Sequence, residues 1–496
     1  MKKVKGLLLG SAAGLAAVSG TQAADLPVKA KPVQYVKICS LYGEGFYYIP
    51  GSDICLKIGG YVRADYGWNV RGARTPNYTG AGGAHDRTVS PYSTRHRAHF
   101  NFDSRTQTAY GTLRTYVAIH IDNENQGTVT INPTRAFIQW AGFTFGHTKS
   151  FTDVPGAFGD DTFKSLHQTQ NQSDTGANGT NQIAYTWELG NGMTLNVGAD
   201  ERRTKAIANL SNNVTTVGTN PNTSFGPYQH PTPWVNFAVN QAWGRFGVSA
   251  IFNKVNATYY TGTLADTGAC PGTATGTSAC NSPDDKWGWA VLSGIDIKAP
   301  WAGPGDHFGG YFNYGVGAAA YAGGSNLSSP GLFGSGNNVA LGVITDGVLV
   351  NGGQFDLTTT WTAGAGWEHF WLPNFSTAVY GTYTQVRYSD DVINSRLFCG
   401  NAGSLAVNQN VIVSSGVSCD PGFNYWTVGM VNNWYPVAGF RLAVDVLYTR
   451  IETAFEGQTI SLNKTVGLRP TGSYTAKDQG ILSVVFRAQR SFATGD

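Results

Sequence analysis

Apolar and polar side chains alternate with a period of two residues along many separate segments of this chain. Between residues 56 and 68, Ile58 and Val62 lie on one side of the alternation, and Arg63 and Asp65 lie on the other. Successive side chains of a β-strand point to opposite faces, so such a segment predicts a strand with one apolar and one polar face. The same pattern recurs at 94–103, 440–448 and 480–492.

The number and length of these segments narrow the architecture. We count roughly 16 of them, each close to the ten residues that a tilted strand needs to cross a membrane. The links between them alternate between short ones, such as Ser104–Thr108 and Ala141–Gly142, and long ones, such as Phe151–Asn178. Outer-membrane barrels have short periplasmic turns and long external loops, whereas a secreted β-sandwich has no reason to alternate in this way. The sequence therefore predicts an all-β, 16-stranded antiparallel transmembrane β-barrel over residues 56–492.

The predicted strand number also bears on the interior of the barrel. Barrels of 16 to 18 strands enclose an aqueous channel, and larger transporters carry a separate plug domain. Residues 24–55, which we expect to form a periplasmic N-terminal segment, are too few for such a plug. We therefore expect an open lumen, narrowed at most by a loop.

The first residues indicate export. Lys2, Lys3 and Lys5 precede a short apolar stretch, and Thr21-Gln22-Ala23 places small residues before a cut at Ala24. This arrangement is typical of a secretory signal peptide, here residues 1–23. Loss of the three lysines lowers the formal net charge from +3 to zero. The mature chain therefore lacks the net positive charge that is typical of nucleic-acid-binding proteins. Residues 493–496 form a short tail after the last predicted strand.

Composition agrees with a membrane barrel. Charged residues make up only 13% of the chain, which also carries 13 Trp, 24 Tyr and 25 Phe. Few charges and many aromatic rings are typical of a barrel whose outer face meets lipid, with aromatic girdles at the interfaces. No G-x-S-x-G, H-E-x-x-H or P-loop motif is present, so we expect no enzyme activity, no catalytic residue, no cofactor and no metal site.

Six cysteines follow the signal peptide in three near pairs, which are Cys39 with Cys55, Cys270 with Cys280, and Cys399 with Cys419. An even number of cysteines in an exported chain predicts disulfides. Fifteen connectivities are open to six cysteines, so the sequence leaves the pairing undecided.

Two motifs resemble a known family. Residues 39–63 read CSLYGEGFYYIPGSDICLKIGGYVR, and residues 135–146 read RAFIQWAGFTFG. Both are similar to the general porins of alphaproteobacteria, the rhizobial and brucella-type family, and the resemblance extends over essentially the whole mature chain. It implies a 16-stranded trimeric porin, a third external loop that folds into the lumen as its constriction, and a Cys39–Cys55 disulfide. Members usually end on an aromatic residue that the assembly machinery reads, whereas here four residues follow Phe492.

Charged residues suggest where the pore chemistry lies. The polar faces of the early strands carry five arginines, and the third long link carries aspartates; these are Arg63, Arg95, Arg97, Arg114 and Arg135, and Asp153, Asp160 and Asp161. Opposite charges that face each other across a narrow, wet gap set a transverse field that favours polar solutes. We predict an eyelet with a basic wall and an acidic loop. The alternative is that the arginines pair locally with Asp65 and Asp103.

These features lead to one function and two alternatives. We expect a general porin in the bacterial outer membrane, which forms a water-filled channel for passive diffusion of small hydrophilic solutes and ions. A channel specific for sugars and a secreted β-rich adhesin are the alternatives. The expected partners are two further copies in a homotrimer, outer-membrane lipid and lipopolysaccharide, the barrel-assembly machinery and the solutes themselves, with no nucleic acid.

Overall fold

A computed structural model describes most of the chain between residues 37 and 492. The described ranges are 37–72, 74–76, 83–84, 90–156, 162–168, 175–176, 178–209, 225–257, 284–324, 331–334, 336–350, 354–394, 398–399, 404–405, 408–414, 419–462 and 470–492. The predicted signal peptide, the tail 493–496, Asp160, Asp161, Cys270 and Cys280 lie outside them.

The chain divides into two compact units, and the first comprises residues 1–55. Its described part contains a single 3-10 turn, Ser40–Tyr42, and a short strand, Tyr47–Tyr48. A disulfide joins Cys39 to Cys55. Both cysteines are buried with Phe46, so the bridge and one aromatic ring form the core of this small unit.

The second unit is a closed barrel of sixteen strands. Their bounds are β1 Cys55–Trp68, β2 Tyr92–Thr108, β3 Gly111–Glu124, β4 Thr130–Trp140, β5 Phe143–Thr148, β6 Thr180–Gly190, β7 Met193–Asp200, β8 Thr232–Gln241, β9 Gly244–Val255, β10 Lys286–Lys298, β11 His307–Val316, β12 Thr359–Leu372, β13 Phe375–Arg387, β14 Phe423–Val437, β15 Phe440–Glu452 and β16 Gln479–Ser491. Each strand pairs with its neighbours in the chain, and β1 also pairs with β16, from Tyr61 opposite Ser491 to Trp68 opposite Val484. The predicted 16-stranded antiparallel barrel is confirmed.

Alternation along the strands separates the two faces as predicted. In β1, Val62 is 56% exposed on the outside of the barrel, whereas Arg63 is 3% exposed and faces the inside. In β2, Phe100 and Phe102 are exposed on the outside while His99 and Asn101 are buried. A strand with this pattern presents apolar side chains to lipid and polar ones to the lumen.

Turns at one end of the barrel are tight. Asn191 and Gly192, between β6 and β7, have φ values of 51° and 71°, as a two-residue type I′ hairpin requires. The predicted link between β2 and β3 at Ser104–Thr108 is wrong. These residues continue β2, Thr108 pairs with Gly111, and the chain reverses at Ala109–Tyr110 instead. We call this end the turn end and the opposite one the loop end.

Several aromatic side chains near the strand ends lie on the outside of the barrel, as expected for an aromatic girdle, and Trp234 does not. Trp68, Trp140 and Trp187 are exposed. Trp234 is 3% exposed, because its position in β8 belongs to the inward set, and its ring stacks on Phe151 at 5.7 Å.

Segments between the strands form structure of their own at the loop end. Seven short strands make one sheet, which comprises Gly83–Ala84, Gly331–Gly334, Asn338–Gly342, Ser404–Leu405, Asn408–Val413, Thr459–Leu462 and Gly472–Ala476. A disulfide joins Cys399 to Cys419 near the helix Asp390–Asn394. Within the described ranges, no helix has the length and apolar character needed to cross a membrane.

Candidate pore constriction

A cluster of arginines surrounds one carboxylate on the inner wall. Asp65 of β1 lies directly opposite Arg487 of β16, whose Nε is 2.6 Å from Asp65 Oδ1. Arg95 of β2 donates to the other oxygen at 2.6 Å, and the Nε of Arg63 lies 3.6 Å away. All four side chains are nearly fully buried. A buried carboxylate requires such pairing, and the guanidinium group, which stays charged, can supply it.

The same wall continues toward the turn end. Arg97 of β2 pairs with Asp122, its direct neighbour on β3, with Nη2 2.8 Å from Oδ2. Farther along, Asp103 accepts hydrogen bonds from both Arg114 and Arg105, at 3.0 and 2.7 Å. The structure therefore brings Arg63, Arg95, Arg97 and Arg114 onto one arc of the barrel, from β16 to β3. We call this arc the arginine wall.

Local pairing, the alternative reading of these arginines, is present at Asp65 and Asp103. Asp65 lies directly opposite Arg487, whereas Asp103 bonds Arg105 two residues along its own strand and Arg114, the residue opposite Arg105, on the next strand. Direct and diagonal neighbours on one face of a sheet are both within reach of long side chains. The role of the arginines in an eyelet is not decided by this pairing and stays a prediction. Sequence reasoning missed Arg487 as a member of the wall, although its alternation with the apolar Phe486 had already placed it on the polar, inner face.

Between the arginines lies a group of rings. His99 of β2 and His120 of β3 are direct cross-strand neighbours, and their ring centroids are 4.6 Å apart. Tyr61 of β1 stacks on His99 at 4.8 Å. The wall therefore offers flat polar surfaces as well as charge.

Arg135 of β4 does not join the arginine cluster. Its Nη2 donates to the carbonyl of Gly176 at 2.7 Å, and its Nη1 donates to the carbonyl of Thr134 at 2.6 Å. Gly176 belongs to the long loop between β5 and β6, residues 149–179, which we call L3. Arg135 thus holds one end of L3 to the barrel.

The acidic residues predicted for L3 are only partly placed. Asp153 accepts hydrogen bonds from the backbone N–H and the hydroxyl of Thr175, at 2.8 and 2.6 Å. This carboxylate ties the two ends of L3 together. Asp160 and Asp161 lie outside the described residues, so the acidic side of the eyelet stays a prediction.

L3 runs along the inside of the barrel. Near its start, Ser150 donates to Asp200 of β7 at 2.9 Å, and Ser249 of β9 donates to the carbonyl of Thr152 at 3.2 Å. Farther along, Pro155 lies so close to Gly294 of β10 that a Cβ on that glycine would meet its carbonyl oxygen at 1.9 Å. The wall strands carry glycine here because any side chain would displace the loop.

The middle of L3 packs on β11 and β12. Phe163 is fully buried and stacks on His307 at 5.4 Å. His307 is fixed between Asp296 and Glu368, with both ring nitrogens 2.8 Å from a carboxylate oxygen. An aromatic ring on a rigid, hydrogen-bonded platform fixes the position of the loop at this point.

The far part of L3 is held by β15. Asp445 Oδ2 accepts the backbone N–H groups of Leu166 and His167 at 2.6 and 3.1 Å, and its Oδ1 accepts the Tyr380 hydroxyl at 2.8 Å. Arg441 bonds the carbonyl of Lys164. The described parts of L3 thus contact strands between β7 and β15. The arginine wall lies on β16 to β3, so the two border the lumen from different sides.

Comparisons with known proteins agree with this architecture. Residues 25–485 match the family model described as the Porin subfamily. A putative outer membrane protein, y4fJ of Sinorhizobium fredii, is 36% identical over 191 residues, which are 37% of this chain and 50% of that protein. Porin Omp2a of Brucella ovis is 34% identical over 222 residues, which are 40% of this chain and 59% of that protein. The chain thus spans about half the length of the curated relatives that it matches.

One solved structure is similar over most of its length. The outer membrane channel DcaP of Acinetobacter baumannii aligns with a TM-score of 0.52 and 17% identity, covering 90% of this chain and 99% of that one. At this identity the likeness concerns the fold alone. Together with a family match that covers nearly the whole sequence, the closed barrel and its infolded loop lead to one conclusion: the chain belongs to the Porin subfamily.

Proposed function

We propose that this protein is a general porin of the bacterial outer membrane, a water-filled channel through which small hydrophilic solutes and ions diffuse passively. The observation that carries the proposal is the closed 16-stranded barrel with an apolar outer face and a charged inner wall. Such a barrel places its outer face in lipid and its polar face around water. The turn end then faces the periplasm and the loop end faces the exterior.

The constriction lies between L3 and the arginine wall. Fixed arginines on one side favour solutes that can exchange hydration for contacts with charge, and they disfavour apolar ones. Because Arg95 and Arg97 each pair with a carboxylate, their removal leaves Asp65 and Asp122 with less compensation. Replacement of both arginines by serine is expected to shift ion preference toward cations.

This shift is measurable as a reversal potential in a salt gradient. Arg245, which bonds Asp296 at 2.5 Å outside the arginine wall, provides a matched control when it is replaced by serine. The double variant should move the reversal potential in the cation-selective direction and the control should move it less. If the unchanged protein, the double variant and the control have equal reversal potentials, the arginine wall does not determine ion preference at the constriction.

General diffusion is tested by swelling of proteoliposomes in isotonic sugar solutions. The entry rate should fall steadily from monosaccharides to tetrasaccharides, and glucose and galactose should enter equally fast. A marked preference for one of the two isomers would show that the protein is a substrate-specific channel and not a general porin. If sugars enter no faster than with heat-denatured protein, the protein does not form a channel.

A homotrimer is part of the proposal. Strand β5 has 6 residues and β7 has 8, fewer than the 9 to 11 or so that a tilted spanning strand needs. Strands this short do not span the hydrocarbon core of the membrane. We therefore expect this side of the barrel to contact a neighbouring copy of the chain instead of lipid. Native mass measurement in detergent should give three chains, and a monomer would contradict this part.

Lipid and lipopolysaccharide are the proposed surroundings of the exposed apolar face, and the barrel-assembly machinery is the proposed insertion partner. Phe492 directly follows β16, is half exposed, and donates its backbone N–H to the carbonyl of Gly60 at 3.0 Å. An aromatic side chain therefore still ends the last strand, ahead of the four-residue tail.

A further inference from the structure

A second loop enters the barrel from the loop end. This loop, which we call L6, lies between β11 and β12, and its described residues are 317–324, 331–334, 336–350 and 354–358. Its first described part, Ala318–Gly324, is almost completely buried. Tyr425 projects inward from β14, and its hydroxyl donates to the carbonyl of Gly323 at 2.8 Å. Because Tyr425 faces the lumen, Gly323 lies inside the barrel.

The second part of L6 packs on the inner wall as well. Val339, Leu341, Val343 and Ile344 are at most 1% exposed. They share one apolar cluster with the inward-facing side chains near the loop ends of β13 to β16, which are Val386, Phe423, Tyr425, Ile451 and Ile481. Near the loop end, the inner face of these four strands is therefore apolar and packs against L6.

Hydrogen bonds fix the position of this packing. The Tyr388 hydroxyl, just beyond β13, donates to the carbonyl of Val343 at 3.0 Å. Leu341 donates its N–H to the Thr453 hydroxyl at 2.9 Å, and its carbonyl accepts the N–H of Ala454 at 2.8 Å. A segment with buried apolar side chains and satisfied backbone groups belongs to the stable part of a fold.

L6 is also joined to the neighbouring loops. Asp346 is fully buried and accepts the backbone N–H groups of Lys205 and Ala319, at 2.5 and 2.8 Å. Arg203 places its guanidinium 4.1 Å from the centroid of the Tyr321 ring and donates to the Thr152 hydroxyl of L3 at 2.9 Å. The two infolded loops are therefore one connected assembly.

From this placement we propose that L6 forms a second constriction, in series with L3, which filters solutes by size at the loop end of the channel. The inference rests on the proposed channel function. L6 occupies the lumen beside β13 to β16, so the outer mouth is confined to the remaining sector. A solute from the exterior meets L6 before L3, whereas a solute from the periplasm meets L3 first.

The proposal predicts an asymmetry that needs no mutation. Single channels in a planar bilayer are exposed to neutral polyethylene glycols of increasing size, added to one side at a time. Polymers of intermediate size should enter from the turn end and change the conductance, but should be excluded from the loop end. Identical size thresholds from both sides would overturn the proposal while leaving the channel function intact, whereas a protein without conductance would overturn both.

A matched pair of variants tests whether L6 causes the exclusion of polymers at the loop end. Val343→Asp puts a carboxylate into the apolar cluster, which should expel the segment from the barrel wall because a buried unpaired charge is unfavourable. Val129→Asp makes the same change at a position that is 56% exposed. The first variant should raise the loop-end threshold to that of the turn end. It should also increase conductance by up to about 2-fold, because the resistances of two constrictions in series add. The second should change neither.

The variants also distinguish a constriction from a purely structural role of L6. If L6 only supports the external loops and leaves the solute path free, Val343→Asp will keep the threshold of the unchanged protein, and the proposal fails. If Val343→Asp does not fold, polymer exclusion from the two sides of the unchanged protein still tests the proposal.

Discussion

Asp445 offers a direct way to test how L3 is held in the lumen. This carboxylate has no exposed surface and accepts three hydrogen bonds, from Leu166, His167 and Tyr380. Asp445→Ala leaves two backbone N–H groups and one hydroxyl without their acceptor. A buried donor left without its acceptor costs about 1–3 kcal/mol, so the loss of these three hydrogen bonds should weaken the docking of L3 by about 3–5 kcal/mol.

A conservative variant sharpens the expectation. In Asp445→Asn the amide oxygen can still accept the two backbone N–H groups, and the amide nitrogen can donate to the Tyr380 hydroxyl oxygen. This variant should therefore retain most of the docking energy. At about 1.4 kcal/mol for each factor of ten, the detached population of L3 should rise at least 100-fold or so in Asp445→Ala and far less in Asp445→Asn.

Trypsin provides the assay, because Lys164 lies in the docked part of L3. Cleavage after Lys164 requires local detachment, and its rate follows the population of the open form. The new amino terminus at Ser165, detected by mass spectrometry, should appear fastest in Asp445→Ala, with a parallel rise in open-channel current noise. Asp103→Ala is the control, since Asp103 bonds Arg105 and Arg114 on the arginine wall. Unchanged cleavage in folded Asp445→Ala would refute the assigned anchor.

Three further predictions concern other contacts. Phe163→Ala should weaken L3 docking by about 3–5 kcal/mol through the lost ring contact with His307, and an unchanged trypsin rate at Lys164 would contradict it. Arg487→Ala should lower the free energy of unfolding by about 3–5 kcal/mol, because Asp65 at the junction of β1 and β16 loses a buried partner; a urea midpoint equal to that of the unchanged protein would oppose this. Burial raises the pKa of Asp346 to about 6, so its contribution to loop stability is complete below 3.8 and is lost as pH rises through 6. Hydrogen exchange in 339–348, corrected for intrinsic rates, should be about tenfold slower at pH 5 than at pH 7, and Asp346→Asn should abolish the difference.

Much of the barrel follows from the sequence because the lipid and the lumen impose a strict two-residue period. Val62 and Arg63 are neighbours in the chain, yet one faces outward and the other inward, as the alternation predicted. Arg95 and Arg97 followed from the same rule. The pairing partner of each arginine did not, because strand register depends on turn positions, and the turn after β2 lies beyond Thr108 rather than before it.

Infolded loops are harder to predict. Phe423 and Tyr425 are inward-facing and apolar, so the alternation weakens toward the loop end of β14, and the sequence gives no indication of what covers them. Asp445 appeared only as one polar position in an alternating strand. Its role depends on L3 residues nearly 280 positions away in the chain, a separation that no local pattern reports.

Single-channel conductance in a planar bilayer tests the central claim most directly. The refolded protein should insert as stable steps that grow with salt concentration, and the three pores of a trimer should close one after another in groups of three. Bilayers that stay silent, although the protein has folded in detergent and inserted, would contradict an open water-filled channel.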